Sequence, residues 1–404
     1  MVLSSTTSTA IGHNLSSSLH FRRLLVVIKQ TAYEEYTQLK LRGMAPKALR
    51  WKRLESRYKA HKQCVADLMT ILKSHNVDFS CINRSELDRQ HLSDVDLVIA
   101  VGGDGTVLSA AHFLDAGTIP LLGVNSDPIS RDETQAVNKK TADERRSHGA
   151  LCCCTSQDMT QGLSRILYGG GHLSSRTRIQ ATVKSTFSET ILVPALNDLL
   201  IANPSPAAVS RFRMGWLERL HLNAPAPTRD GGWSGNEPDI SKHFGSDSRH
   251  FQPPPSNPTT AIKAPVSKYG TVIRFGGNTY EVRKSINVWS SGMWVCTSTG
   301  STAAMAAAGG TIMDLHCDDL QYLIREHMIE PDSGEDVRMM GHGMVKGDEQ
   351  LHVRWNSHRG KIFIDGSHLI HDLILGDEIL INSKAPPLQL FLRQAGHDVS
   401  DSLY

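Results

Sequence analysis

The sequence predicts a parallel α/β domain followed by a mainly β domain, and three observations carry that prediction. Apolar runs alternate with helical patterns as far as about residue 145, the texture turns strand-like from about residue 175, and a proline-rich stretch interrupts the second half. Strands separated by helices need crossover connections and so pair in parallel, whereas strands joined by short turns pair antiparallel.

The first strand is read at "FRRLLVVIK" (21–29), whose apolar residues run from Leu24 to Ile28. A short, unbroken apolar run suits a strand buried on both faces. "KALRWKRLESRYKAHKQCVADLMTILKSH" places Val65, Leu68, Met69 and Leu72 at helical spacing and predicts a long amphipathic helix. "DVDLVIAV" (94–101) is a second strand, "TVLSAAHFLDAG" (106–117) a helix closed by Gly117, and "IPLLGVN" (119–125) a further strand. In the second half, "RTRIQATVKS", "ILVPALNDLLIA" and "VSRFRM" read as strands. Past residue 350, "LHVRWNSHRGKIFIDGSHLIHDLILGDEILI" alternates and turns, with Asp365-Gly366 as a hairpin candidate. One helix built of small residues, "STAAMAAAGG" (301–310), interrupts these strands. Eight of the 17 prolines fall between Pro225 and Pro265, so residues 215–268 are read as a disordered insertion without catalytic duty.

The chain has 404 residues, enough for two domains, and its formal charge of +2 argues against attachment to nucleic acid through net charge. No window approaches 18 consecutive apolar residues, so a spanning helix is not expected, and neither nucleic acid nor membrane is expected as a partner. The seven cysteines include the adjacent Cys152, Cys153 and Cys154, and no C-x-x-C pair is present. Free thiols in a reducing compartment are expected, with no metal ligand set. The cytoplasm is the expected location. An acid-free, Ser/Thr-rich start over 33 residues and the ending "DSLY" leave a peroxisome or another organelle as the alternative. Residues 1–20 are read as a disordered tail.

The strongest chemical signal is strand, then "GGDGT", then helix. Gly102, Gly103 and Gly105 let the backbone approach a ligand closely, and the helix start offers open N–H groups to an anion. Thr106 is expected to cap that helix and reach a phosphate oxygen. The alternative, a tight turn with Asp104 on the surface, is less favoured because a strand and a helix flank the loop. Beside phosphates, Asp104 either helps to hold a magnesium ion or accepts a proton from a hydroxyl attacking a phosphoryl group. A second signal is Asn197-Asp198 in "LNDLLIA", an amide and a carboxylate suited to vicinal ribose hydroxyls or to a plain strand end. A third is "CTSTGSTAAMAAAGG" (296–310), in which Thr299, Ser301 and Thr302 precede small residues. It reads equally as a site for a ring or ribose and as a capped helix in the core.

Together, "GGDGT", "LND" and "TGSTAAM" resemble the NAD kinase family over nearly the whole chain outside the first 20 residues and the 215–268 insertion. "GVNSDP", "PALNDLLIA", "PAAVSRF", "SSGMWVCTSTGSTAAM" and "IFIDG" are similar to its plant-type NADH kinase branch. The resemblance implies a Rossmann-like α/β domain over 21–145, a β-rich nucleotide-binding domain over 146–380, and a segment (381–404) returning to the first domain. It implies phosphorylation of the 2′-hydroxyl of the adenosine ribose of NADH and NAD, with ATP and Mg²⁺ as phosphoryl donor. Asp104 would be the general base, Asn197 and Asp198 would bind the nicotinamide-nucleotide ribose, and Thr299, Thr302 and Ala303 would line the adenosine pocket. A homo-oligomer, a dimer, would complete the site. Two departures from the family pattern, Ser291 before Gly292 and Ala304 after "STA", look like those of NADH kinases and favour NADH as acceptor. The alternatives are a lipid kinase of diacylglycerol or sphingosine type, whose loop usually continues Asn-Glu rather than Val107-Leu108, and a non-catalytic nucleotide-binding relative.

Overall fold

The computed structural model describes residues 18–128, 149–219, 272–330 and 334–393. The expected tail and insertion therefore lie mostly outside the described residues, as does the end of the expected C-terminal segment.

The apolar runs near the start form the middle of a sheet. β1 (Arg23–Ile28) pairs in parallel with β2 (Asp78–Asn83) and β3 (Leu97–Gly102), and β3 with β4 (Leu121–Asn125). α1 (Ala32–Leu41) was not expected, yet Thr31 and Glu34 form a capping box that the spacing T-x-x-E announces. α2 (Trp51–Ser74) turns Cys64, Val65, Leu68 and Leu72 onto one face of the sheet. α3 (Asp104–Ala111) packs Val107, Leu108, Ala110 and Ala111 onto the other. Helices on both faces explain why the strands are apolar on both sides.

This sheet draws on more chain than residues 21–145. β5 (Cys154–Thr155) pairs with β4, α4 (Met159–Leu167) joins the α2 face, and β6 (His172–Arg176) forms the far edge. Between β4 and β6 lies β20 (Leu388–Leu392), parallel to β4 and antiparallel to β6. The last described strand thus sits inside the first sheet, and Phe391 is buried in its core.

The rest is antiparallel. One sheet runs β11 (Val272–Phe275), β12 (Asn278–Ser290), β10 (Ser210–Arg219), β16 (Gln350–Trp355), β19 (Glu378–Asn382), β7 (Gln180–Lys184), β8 (Glu189–Ile191). The other runs β15 (His342–Val345), β14 (Leu320–Arg325), β13 (Gly292–Cys296), β9 (Asp198–Ala202), β17 (Arg359–Ile364), β18 (Leu369–Ile374). Alternate residues of both, such as Met214, Val353 and Ile379 against Ile201, Val295 and Ile362, share one core. The hairpin expected at Asp365-Gly366 is present between β17 and β18, with φ of 48° and 113° at those residues.

Two helices differ from expectation. α3 begins at Asp104 rather than at Thr106 and ends at Ala111, before Gly117. The helix expected at 301–310 shrinks to a single 3₁₀ turn, Gly300–Thr302, and the four-residue α5 (Ala304–Ala307). Alanine favours a longer helix, but tertiary contacts override propensity here. The chain leaves helical geometry at Ala303 (φ −97°, ψ −126°) because the preceding turn is fixed against another segment, described next.

Candidate active site

Each of the three sequence signals lies at the end of a strand or helix; the second and third pack on each other, and the helix that opens with the first is tied to them at its far end. At the first, β3 ends in Gly102 and Gly103 occupies the position just before α3. A side chain at Gly102 would stand 2.2 Å from the Thr106 hydroxyl and 2.9 Å from Lys29 Cβ, so only glycine allows this turn. Outside its own helix, Gly105 has nothing within 4 Å of where a Cβ would be, which leaves that side of the helix start open. Thr106 does not cap the helix; it is buried one turn in. Asp104 is the first helical residue. Its Oδ1 accepts from the Leu151 N–H at 2.9 Å and its Oδ2 from the Gly149 N–H at 3.1 Å.

The far end of α3 is tied to the second signal. His112, the residue after the helix, is 2.8 Å through Nε2 from Asp365 Oδ2, and Asp365 accepts the N–H groups of Leu196, Asn197 and Asp198 at 2.7–3.0 Å. His368 stands 3.3 Å from the other ring nitrogen of His112. The sequence showed Asp365 as a turn residue and within the quoted "IFIDG", but not its partners, which lie 167 to 253 positions away with no local pattern to mark them. Asn197 is half-buried and Asp198 is 7% exposed, and among the described residues neither side chain has a hydrogen-bond partner. Burial first, and then the neighbouring Asp365, push the Asp198 carboxyl up to about 7.

The third signal is fused to the second. Thr297 donates from Oγ1 to Leu196 O at 2.5 Å and from its N–H to Asn197 O at 2.9 Å. A side chain at Gly300 would stand 2.1 Å from Asn197 O, so the "TGST" turn lies backbone to backbone on Asn197. That contact shortens the expected helix. Thr299 accepts from Arg176 Nε and Nη2 at 3.0 and 2.7 Å, and Arg176 Nη1 has no partner among the described residues. Arg176 is a second residue that sequence reading missed. Thr302 and Ala303 are exposed. Ser301 is fully buried, donates to Ser298 O and accepts from the Met313 N–H, so its expected contact with a ligand is withdrawn.

A cavity of about 110 Å³ opens beside the glycine loop, lined by Lys29, Arg57, His61, Gly102, Gly103 and Ser126 among others. Arg57 pairs with Asp127 at 3.6 Å, and His61 meets Ser126 at 2.8 Å through Nδ1. Burial, then Lys29 and Lys62, push His61 down to about 4, so its ring is neutral at pH 7. Glycine backbone and two cations, Lys29 and the Asp127-paired Arg57, line this small cavity, a composition suited to an anion.

Comparison with known proteins places the chain in a family. The family described as "ATP-NAD kinase N-terminal domain" matches residues 14–127. The "NADH kinase" of Arabidopsis thaliana is 35% identical over 92% of this chain and 96% of its own length. The chain belongs to the NAD kinase family. It is therefore an enzyme of a phosphotransferase family, as its motifs implied, and the lipid-kinase alternative falls away. The "Probable NADH kinase" of Oryza sativa subsp. japonica is 33% identical over 87% of both chains. Among solved structures, an NAD kinase from Archaeoglobus fulgidus in complex with ATP has a TM-score of 0.52 at 14% identity, covering 92% of this chain and 94% of that one. At that identity the likeness shows the fold.

In the structure the two departures from the family pattern occupy different places. Ala304 opens α5 beside the "TGST" turn. Ser291 precedes β13, where it bonds to Glu326, while Cys296 at the other end of β13 faces Asp198. Five residues of strand, about 17 Å, separate Ser291 from the junction within one chain.

Two outcomes follow for stability. Asp198 binds a proton below about pH 7 when folded but only near its ordinary 3.8 when unfolded. The folded state therefore holds more protons in that interval, and stability falls as pH rises from about 4 to about 7 before levelling off. Denaturant unfolding across this range should show Asp198→Asn gaining on the parent as pH rises, and a constant difference would refute the shift. Asp365→Asn, which cannot accept from every present donor, is expected to lose about 1–3 kcal/mol. An unchanged urea midpoint would show that the carboxylate is not needed at the junction.

Proposed function

We propose that the enzyme transfers the γ-phosphoryl group of ATP to the 2′-hydroxyl of the adenosine ribose of NADH, and less readily of NAD, yielding NADPH or NADP and ADP. The observation that carries this reading is the pair Asn197 and Asp198, held by backbone on two sides yet with both side chains left for a ligand. An amide and a carboxylate so placed suit the vicinal hydroxyls of a ribose. Thr299, Thr302 and Ala303 sit on the turn packed against Asn197, where the adenosine would lie. The basic cavity beside Gly102 and Gly103 takes the donor phosphates, with Mg²⁺ carried in by them. The names of the plant relatives and the ATP in the archaeal structure support the same assignment.

Asp104 is the proposed base. Two backbone N–H groups fix its carboxylate at the start of α3, where open backbone can hold phosphate while the acid receives the hydroxyl proton. As that proton moves to Asp104, the freed oxygen bonds to the γ-phosphorus and ADP departs. Ser291 meets the acceptor only if a second copy brings the start of its own β13 to the site, which fits the proposed dimer.

Assays with ATP and either dinucleotide test the reading. NADH is expected to show the higher kcat/KM, and preference for NAD would remove Ser291 and Ala304 as the basis of selection. Asp104→Asn should lower kcat by about 10²–10⁴-fold with binding of NADH retained. Near-normal turnover would remove Asp104 from the base role.

A further inference from the structure

The outer face of the β10–β16–β19–β7 sheet carries another cavity, of about 510 Å³, which shares no lining residue with the one beside the glycine loop. Phe212, Met214, Val353, Ile379 and Val183 point into the shared core. Strand alternation therefore places Arg213, His352, Arg354, Glu378 and Lys184 on the opposite face. Their register is unusual. Arg213 lies directly opposite Arg354, Arg354 opposite Glu378, and Glu378 opposite Lys184. Like charges facing each other across a ladder destabilise a sheet. Here one carboxylate stands among three cations of the row, and Arg274 from β11 adds another.

Lys184 donates from Nζ to Arg274 O at 3.0 Å and lies over the Phe275 ring, which leaves two of its three N–H groups for a ligand. Among the described residues, the guanidinium groups of Arg354 and Arg274 make no hydrogen bond or ion pair. Arg213 donates from Nε and Nη2 to Ser285 Oγ, which aims it along the cavity. His352 is 6% exposed, and its Nε2 has no hydrogen-bond partner among the described residues, with Glu378 Oε2 4.0 Å away. Burial, then Arg213, Arg354 and Lys184, push His352 down to about 4. A neutral imidazole adds a hydrogen-bonding edge without another charge. Gly215, directly opposite His352, keeps this part of the floor free of a side chain.

The geometry points to a second anion site in this cavity, one that takes the phosphate group of a small ligand on Arg213, Arg354 and Lys184, with His352 beneath it. Arginine pairs and a lysine match phosphate oxygens by fork geometry and charge. Val272, Ile273 and Val282 give the cavity an apolar wall against which an organic portion can rest.

Calorimetric titration of the full chain with inorganic phosphate, and separately with AMP, tests the assignment. Binding at the glycine loop is common to the parent and to Arg354→Ala, so the difference between the two proteins reports this cavity. Arg354→Ala is expected to weaken that binding at least about tenfold, with Arg354→Lys restoring part of it and kinase kcat and KM unchanged. Tighter binding of AMP identifies an organic phosphate and equal binding a free one; both support the site. Equal affinities in parent and Arg354→Ala for both probes would overturn it. Lys184→Ala, on a different strand, gives the same reading should the first variant be poorly folded.

Discussion

The placement of the site depends on one carboxylate kept out of water. The Asp365 side chain has no solvent exposure, and it is held by three successive backbone N–H groups and by His112. A bare carboxylate in such surroundings costs several kcal/mol, and only a full set of donors makes it tolerable. That requirement makes the group informative about geometry. The donors come from the segment leading into β9 and from the end of α3, while the acid itself comes from the turn after β17. A shift of any one of these elements leaves a charge or a row of N–H groups unsatisfied.

The helix that carries Asp104 is consequently fixed from its far end. Besides His112, the fully buried Arg178 donates to Ala111 O and Asp115 O beyond α3 and to Pro386 O near β20. A cation against the last carbonyls of a helix meets both their hydrogen-bonding need and the helix dipole. With that end pinned, the first residue of an eight-residue helix has little freedom, and two N–H groups from the Gly149–Leu151 segment hold its carboxylate. Asn197 is constrained just as closely by the backbone contact at Gly300.

Much of this was legible in the residues themselves. The apolar runs gave the parallel strands because strands covered on both faces must be apolar, and "GGDGT" and "LND" stand where the sequence placed them. Asp365, His112, Arg176 and Arg178 escaped because their roles arise from partners 63 to 253 residues away, for which no periodicity or spacing exists. Ser301 was misjudged for a related reason. A hydroxyl beside a glycine turn suits a ligand or a core equally, and only burial decides. The alanine run failed as a helix because one backbone contact at Gly300 outweighed the preference of several residues.

The position of β20 bears on how the chain reaches its working form. This strand separates β4 from β6, although some 260 residues lie between it and β4 in the sequence. During synthesis the first sheet stays open at Leu121 and Leu122 of β4, beyond the reach of the short β5, until β20 has been made, leaving a stretch of unpaired edge that invites wrong partners. This sheet is therefore a poor candidate for a module that folds, is cut out or is transplanted alone. A nascent chain with "GGDGT" already made thus does not yet possess the finished sheet that surrounds that loop.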